Sequence, residues 1–272
     1  MTHPSEASEP RLVLPRPVMR AARWCVSALL VALPLSQVQA AVPAPDRQPD
    51  FESNPRTFTN RYAPFQEGAV KVYAGTAGSA QEVVVDDYLP KRRIFQVEGV
   101  NDGKPVHCSI LREMSFEDGQ LVESTLNYFA QADDGTVYYF GELVDIYQNG
   151  VVTSHEGSWL VGGPEDSDPN TTATSARPFV FMPATPEKGD VFKQEDLFPI
   201  VDETDQVVAV NQTVTVPAGT FTKVIQVLES SRLDPTTEEK WYAPGVGVIQ
   251  AQAKGETSQL IASTLPLMLR SP

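Results

Sequence analysis

Carboxylates dominate the side chains of this sequence that could do chemistry: 35 Asp and Glu stand against 21 Lys and Arg, with three His and two Cys. Grouped carboxylates can hold a divalent cation or divide acid and base work between them. Asp166-x-Asp168-x-Asn170 spaces its side chains as the first three ligands of a calcium loop. The sixth position of such a loop requires Gly and is Thr171, and the twelfth requires Glu and is Arg177. Asp166, Asp168 and Asn170 are therefore only a weak calcium candidate, set in an exposed acidic loop over 162–178. A second group is Asp133, Asp134, Glu142, Glu156 and Glu195. Asp134 belongs to a turn, and Glu142 and Glu156 fall on opposite faces of a simple hairpin register, so no acid/base pair is expected between them.

Nucleophilic catalysis finds less support. The sequence contains no GxSxG elbow, HExxH, CxxC, Walker loop or GxGxxG, and neither His107 nor His155 comes with a nucleophile. No catalytic residue and no cofactor is assigned. The net charge of −14 argues against a nucleic-acid partner, which would require a basic surface.

The elements that must position these residues begin after a targeting segment. Arg20 and Arg23 precede an apolar core at 24–35, and Val38-Gln39-Ala40 follows with small or aliphatic residues where a signal peptidase cuts. The core is too short to span a bilayer, which takes ~20 residues. This predicts export to the periplasm or beyond after cleavage near Ala40, with no transmembrane span in the mature chain. Met19 opens a complete signal peptide by itself and is the expected true start. Four Arg and two Glu leave with residues 1–40, so the net charge moves from −14 to −16. Cys25 leaves too, and Cys108 is then a lone, buried, small hydrophobe. Residues 41–60 are Pro-rich and polar and read as a flexible tether.

From 61 to 269 the chain reads as a single all-β domain. Asp102-Gly103, Asp118-Gly119, Asp134-Gly135 and Asn149-Gly150 are hairpin signals at spacings of 16, 16 and 15. Between them lie runs rich in Val, Ile, Thr, Tyr and Phe. Further strands are expected at 69–74, 81–86, 93–98, 179–182, 190–195, 206–216, 220–229, 238–243, 246–253 and 257–264. No window carries a helical period beyond the signal segment, so little helix is expected. The expected architecture is a long antiparallel meander forming a curved sheet or an open or half barrel.

Two-residue turns would align Cys108, Phe129, Phe140 and Trp159 in one cross-strand row, with Glu142 and His155 on the same face and Tyr128 and Tyr139 on the other. Both faces are then apolar, so the sheet is covered on both sides or curls around an interior. The ligand-binding candidates are Phe129, Phe140, Trp159, Tyr128, Tyr139, Glu142 and His155. A single bulge would break the row, because a one-residue slip flips the face.

Several segments carry a resemblance: TNRYAPFQEG (59–68), YFAQADDGTVYYFGE (128–142), HEGSW (155–159), MPATPEKGD (182–190), Gln194-Glu195, VPAGTF (216–221) and KWYAPGVGVI (240–249). On these the chain resembles a widespread set of exported bacterial proteins with no established activity. VPAGTF and YAPGVG also look like elements of lipoprotein-carrier-like periplasmic β-proteins, whose curved sheet wraps an apolar cavity. The resemblance implies an exported β-fold and supplies no catalytic residues. The expected function is an exported, non-catalytic binding protein that holds a hydrophobic small molecule, such as a lipid or acyl chain. The alternatives are a structural or interaction protein with an envelope-protein partner, and a carboxylate-based hydrolase.

Overall fold

A computed structural model describes residues 49–265. The expected signal peptide and Met19 start, Cys25 and the first part of the expected tether lie outside the described residues. No helix among the described residues is long and apolar enough to cross a membrane.

The described chain is all-β, and its strands form one sheet. They run in order as β1 (Val70–Ala77), β2 (Ala80–Phe95), β3 (Val106–Glu117), β4 (Gln120–Gln131), β5 (Val137–Gln148), β6 (Val151–Ser154), β7 (Trp159–Val161), β8 (Ala173–Ser175), β9 (Phe179–Met182), β10 (Val191–Leu197), β11 (Val201–Val216), β12 (Gly219–Ser230), β13 (Thr237–Ala243), β14 (Gly247–Ala253) and β15 (Glu256–Ser263). Neighbouring strands follow the order β10-β11-β12-β13-β14-β15-β1-β2-β3-β4-β5-β7-β8, with β6 and β9 also paired to β5. All ladders are antiparallel except the short β7–β8 pair. The sheet curls into a nearly closed barrel with one unsealed seam, where β9 and β10 lie side by side without a ladder.

The turns follow from their residues. Asp118-Gly119 and Asn149-Gly150 both adopt positive φ at both positions, the conformation that matches the twist of tight hairpins. Asp134-Gly135 makes a wider loop, because Val137 pairs with Gln131 and not with Ala132, the partner a two-residue turn would give it. The two short strands expected at 81–86 and 93–98 are halves of the single strand β2. A register shift between Leu89 and Arg92 absorbs Pro90, which has no N–H to give a ladder.

The expected aromatic row does not form. The β3–β4 register slips between Ser115 and Phe116, so Phe129 faces Ser109 and not Cys108. The wider loop at Asp134-Gly135 offsets β4 and β5 by one residue, so Phe129 faces Tyr139, and Phe140 is passed over before Tyr128 pairs with Gly141. Trp159 faces Glu142 and not Phe140. Gly141, at φ 125°, allows the close approach of β7, since a Cβ there would lie 2.1 Å from the Trp159 carbonyl oxygen.

Two further expectations change. The described part of the tether is docked: Phe51 is buried edge-on against Tyr138 and Phe140, and Phe58 packs on Phe65. The acidic loop is pinned as well. Asp168 accepts two hydrogen bonds from the Arg93 guanidinium, at 3.0 and 2.6 Å, and Ala173–Ser175 adds a strand beside β7.

Candidate functional site

The barrel interior holds a partly open cavity of about 210 Å³. Period-two alternation decides what faces it. β2 turns Val84, Asp86 and Tyr88 inward, β13 turns Glu238, Lys240 and Tyr242 inward, and β3 contributes Leu111 and Glu113. β10 contributes two consecutive residues, Gln194 and Glu195, because its register slips between Lys193 and Glu195. β5 does the equivalent through the Phe140 bulge, which brings Tyr139 and Glu142 to one face despite their opposite parity.

One end of the cavity is closed by the arm before β1. Phe58, Tyr62, Ala63, Pro64 and Phe65 all line it. Asn60 latches this arm: its side-chain amide donates to the carbonyls of Gly135 (2.9 Å) and Pro183 (3.0 Å), and its Oδ1 accepts from the Tyr62 and Ala63 amides. Gln131 Oε1 accepts from the Thr59 and Asn60 amides. The Gly245 amide donates to the Arg61 carbonyl at 2.7 Å, and Tyr62 Oη donates to the Lys223 carbonyl at 2.9 Å. The TNRYAPF and YAPGVG segments therefore meet at this end of the lumen, and MPATP joins them through Pro183.

The lumen has an aromatic side and a charged side. Phe129 stacks on Tyr139 with centroids 4.8 Å apart, Phe181 tilts against Phe129 at 4.6 Å, and Trp159 meets Tyr139 edge-on at 5.3 Å. Trp159 Nε1 donates to Glu195 Oε1 at 2.9 Å. Burial pushes the Tyr139 phenol well up, and the carboxylates of Glu142, Glu195 and Glu203 push it further, so all three surround it.

Lys71 and Lys240 are the two cations of the lining, which also holds six carboxylates: Asp86, Glu113, Glu142, Glu195, Glu203 and Glu238. Lys71 Nζ lies 3.0 Å from Asp86 Oδ2, donates to Tyr73 Oη at 2.6 Å, and stands over the Tyr73 and Tyr88 rings. Burial disfavours its charge, but Tyr73, Tyr88 and Asp86 outweigh that and hold it protonated. Lys240 contacts Glu229 directly and lies 3.5 Å from Glu238 and 4.0 Å from Glu203. Burial again opposes its charge and the three carboxylates prevail. Two cations do not serve every acid. Burial pushes Glu113 and Asp205 up to about 8, and Glu238 up to about 7, with neighbouring carboxylates adding to each shift.

The sequence-derived candidates divide. Phe129, Tyr139 and Glu142 line the cavity, and Trp159 backs it. Tyr128 and Phe140 face away from the lumen, against Phe95 and Phe51. His155 is half-exposed, 2.8 Å from Asp145, with Nδ1 3.0 Å from the Val144 carbonyl. Glu156 is exposed, whereas Glu142 and Glu195 share the lumen. Asp166, Asp168 and Asn170 form no metal-sized carboxylate group among the described residues, and Asp168 is committed to Arg93. Cys108 is fully buried, and burial pushes its thiol well up, as suits an inert hydrophobe. Residues missed from the sequence are Lys71, Asp86, Glu113, Glu203, Glu238 and Lys240. Their signal was period-two spacing of charge with aromatics, as in Lys71-x-Tyr73 and Glu238-x-Lys240-x-Tyr242.

No family model, no curated protein and no solved structure matches this chain. The functional reading therefore rests on the lumen.

Proposed function

We propose that this is an exported, non-catalytic binding protein whose barrel holds a hydrophobic small molecule. One observation carries the reading: a cavity of about 210 Å³ whose lining includes Phe58, Phe129, Tyr139, Phe181 and Tyr242. Concave, mostly apolar cavities with a few convergent polar groups are the usual form of ligand sites. At roughly 10–15 Å³ per water-sized occupant, the space suits a short or compact ligand rather than a whole two-chain lipid. Export is supported by the Arg-flanked apolar segment at 24–35 and the small residues before Ala41.

Native mass spectrometry on gently purified protein tests the reading, together with titration of an apolar fluorescent dye. A bound adduct, or saturable dye binding that Phe129→Ala weakens, is the expected result. Preparations that carry no adduct and exclude the dye would refute it.

A second reading has one observation in its favour. Glu142 and Glu195 converge in the lumen, as a carboxylate-based hydrolase requires. It predicts turnover of activated glycoside or ester substrates that is lost in Glu195→Gln. The absence of such turnover leaves the binding reading alone.

A further inference from the structure

We propose that the lumen is built for a small organic cation, an amine or guanidine carried on an apolar body. The inference deepens the binding reading above and rests on it.

The lining is acid-rich after its own cations are counted. Lys71 is committed to Asp86, and Lys240 is shared among Glu229, Glu238 and Glu203. Two wall carboxylates still keep a buried oxygen with no hydrogen-bond partner, Asp86 Oδ1 and Glu203 Oε1. Asp86 is 4% exposed, so water does not satisfy it freely. Behind Glu203 lies Asp205, fully buried, whose Oδ1 also lacks a partner.

These oxygens discriminate between ligand classes. A neutral hydrocarbon would exclude the remaining water from them and return no hydrogen bond. An anionic headgroup would meet the Asp86 carboxylate and lumen acids, Glu113 and Glu203 among them, whose own negative charge burial and neighbouring acids already disfavour. A cation supplies donors to the oxygens that lack a hydrogen bond and lays its charge on the neighbouring rings. The wall already contains this arrangement in miniature. Lys71 places an ammonium 3.0 Å from a carboxylate and 5.2 and 5.6 Å from the centres of two tyrosine rings. Tyr139, Phe129 and Phe181 offer comparable faces beside Glu142, Glu195 and Glu203.

A bare divalent ion is the competing occupant, since Glu203, Asp205 and Glu229 offer oxygens within 4.8 Å of one another. Lys240 already holds its ammonium against Glu229 and beside Glu203, and so occupies part of that position.

Isothermal titration of the full chain with phenylbutylamine, phenylbutanol and phenylbutyrate decides the matter, because these probes share a body and differ in charge. The amine is expected to bind at least tenfold more tightly than the alcohol, and the carboxylate not to bind. Glu203→Gln and Asp86→Asn should each reduce the amine's advantage at least threefold, whereas Glu156→Gln on the surface should not. The wild-type amine-to-alcohol ratio is informative even where a variant fails to fold. Equal binding of amine and alcohol would overturn the cation inference and leave the hydrophobic-ligand reading standing. Amine binding unmoved by both lumen variants would also overturn it, by placing the site elsewhere. Stabilisation by calcium or manganese chloride alone, with no response to the amine, would overturn it in favour of a metal site. Failure of all three probes and of the apolar dye would remove both readings.

Discussion

Replacing Glu82 by glutamine should stabilise this protein, and only at neutral to alkaline pH. Glu82 lies on β2 directly opposite Glu117 of β3, is 4% exposed, and has a buried Oε2 without a hydrogen-bond partner. Burial first, then the neighbouring Glu256, Glu117 and Glu238 in that order, together lift its carboxyl to about 7. Raising a carboxyl from 4.5 to about 7 corresponds to roughly 3 kcal/mol against the charged form. Local relaxation and water entry reduce this, so about 1–2 kcal/mol is the expected gain from removing the charge. The sign follows from proton counting. Between the unfolded and folded values the native state binds more protons, so stability falls as pH rises through that window. Above about 7 the wild-type chain bears the full cost, and Glu82→Gln does not. For a domain of this size, 1 kcal/mol moves Tm by about 2–4 °C. Calorimetry at pH 5 and pH 8.5 should show Tm raised by about 3–6 °C at the higher pH and little changed at the lower. A gain of equal size at both values, or a loss at pH 8.5, would refute the burial argument.

Other perturbations follow from the same contacts. Lys71→Met strands the buried Asp86 carboxylate and should cost about 3–5 kcal/mol, read by chemical denaturation. Adding Asp86→Asn to that variant should recover most of the loss. Gly141→Ala drives a Cβ into the Trp159 carbonyl at a positive φ, so a loss of roughly 3 kcal/mol or more and a shifted tryptophan emission are expected. Phe51→Ala removes a ring packed on Tyr138 and Phe140; about 3 kcal/mol of destabilisation and faster proteolysis within residues 49–60 should result. Cys108 should resist a thiol reagent until the chain unfolds.

Much of the fold was legible because turn chemistry is local. Asp118-Gly119 and Asn149-Gly150 set their own hairpins, and the runs between them became strands close to the expected limits. The pairing offsets were not legible. A bulge inserts one residue where the curvature of the closing barrel demands it, and nothing local marks Val122 or Gln194 as that residue. Gly141 carried a signal that went unread, since a glycine inside a strand marks a bulge or a close approach. The lumen was half legible for the same reason. Phe129, Tyr139 and Glu142 were found, but the one-residue offset of β5 takes Phe140 out of the row with Phe129, and Tyr128 stays on the face opposite Phe129. The charged wall escaped notice because a charge in a strand ordinarily points to water. Only barrel closure turns Glu203, Glu238 and Lys240 inward.

The neighbouring of β1 and β15 has a consequence for how the molecule is assembled. The first and last strands of the described chain are joined by a full ladder, whereas β9 and β10, consecutive in sequence, share none. The sheet is thus a simple up-and-down order whose covalent break and weakest joint have exchanged places. Hairpins on either side can form early, but the β1–β15 ladder closes a loop of nearly the whole domain and bears the largest entropic cost. A circular permutant opened between Met182 and Val191, with β15 linked to β1, would run in spatial order and should fold faster than the native connectivity.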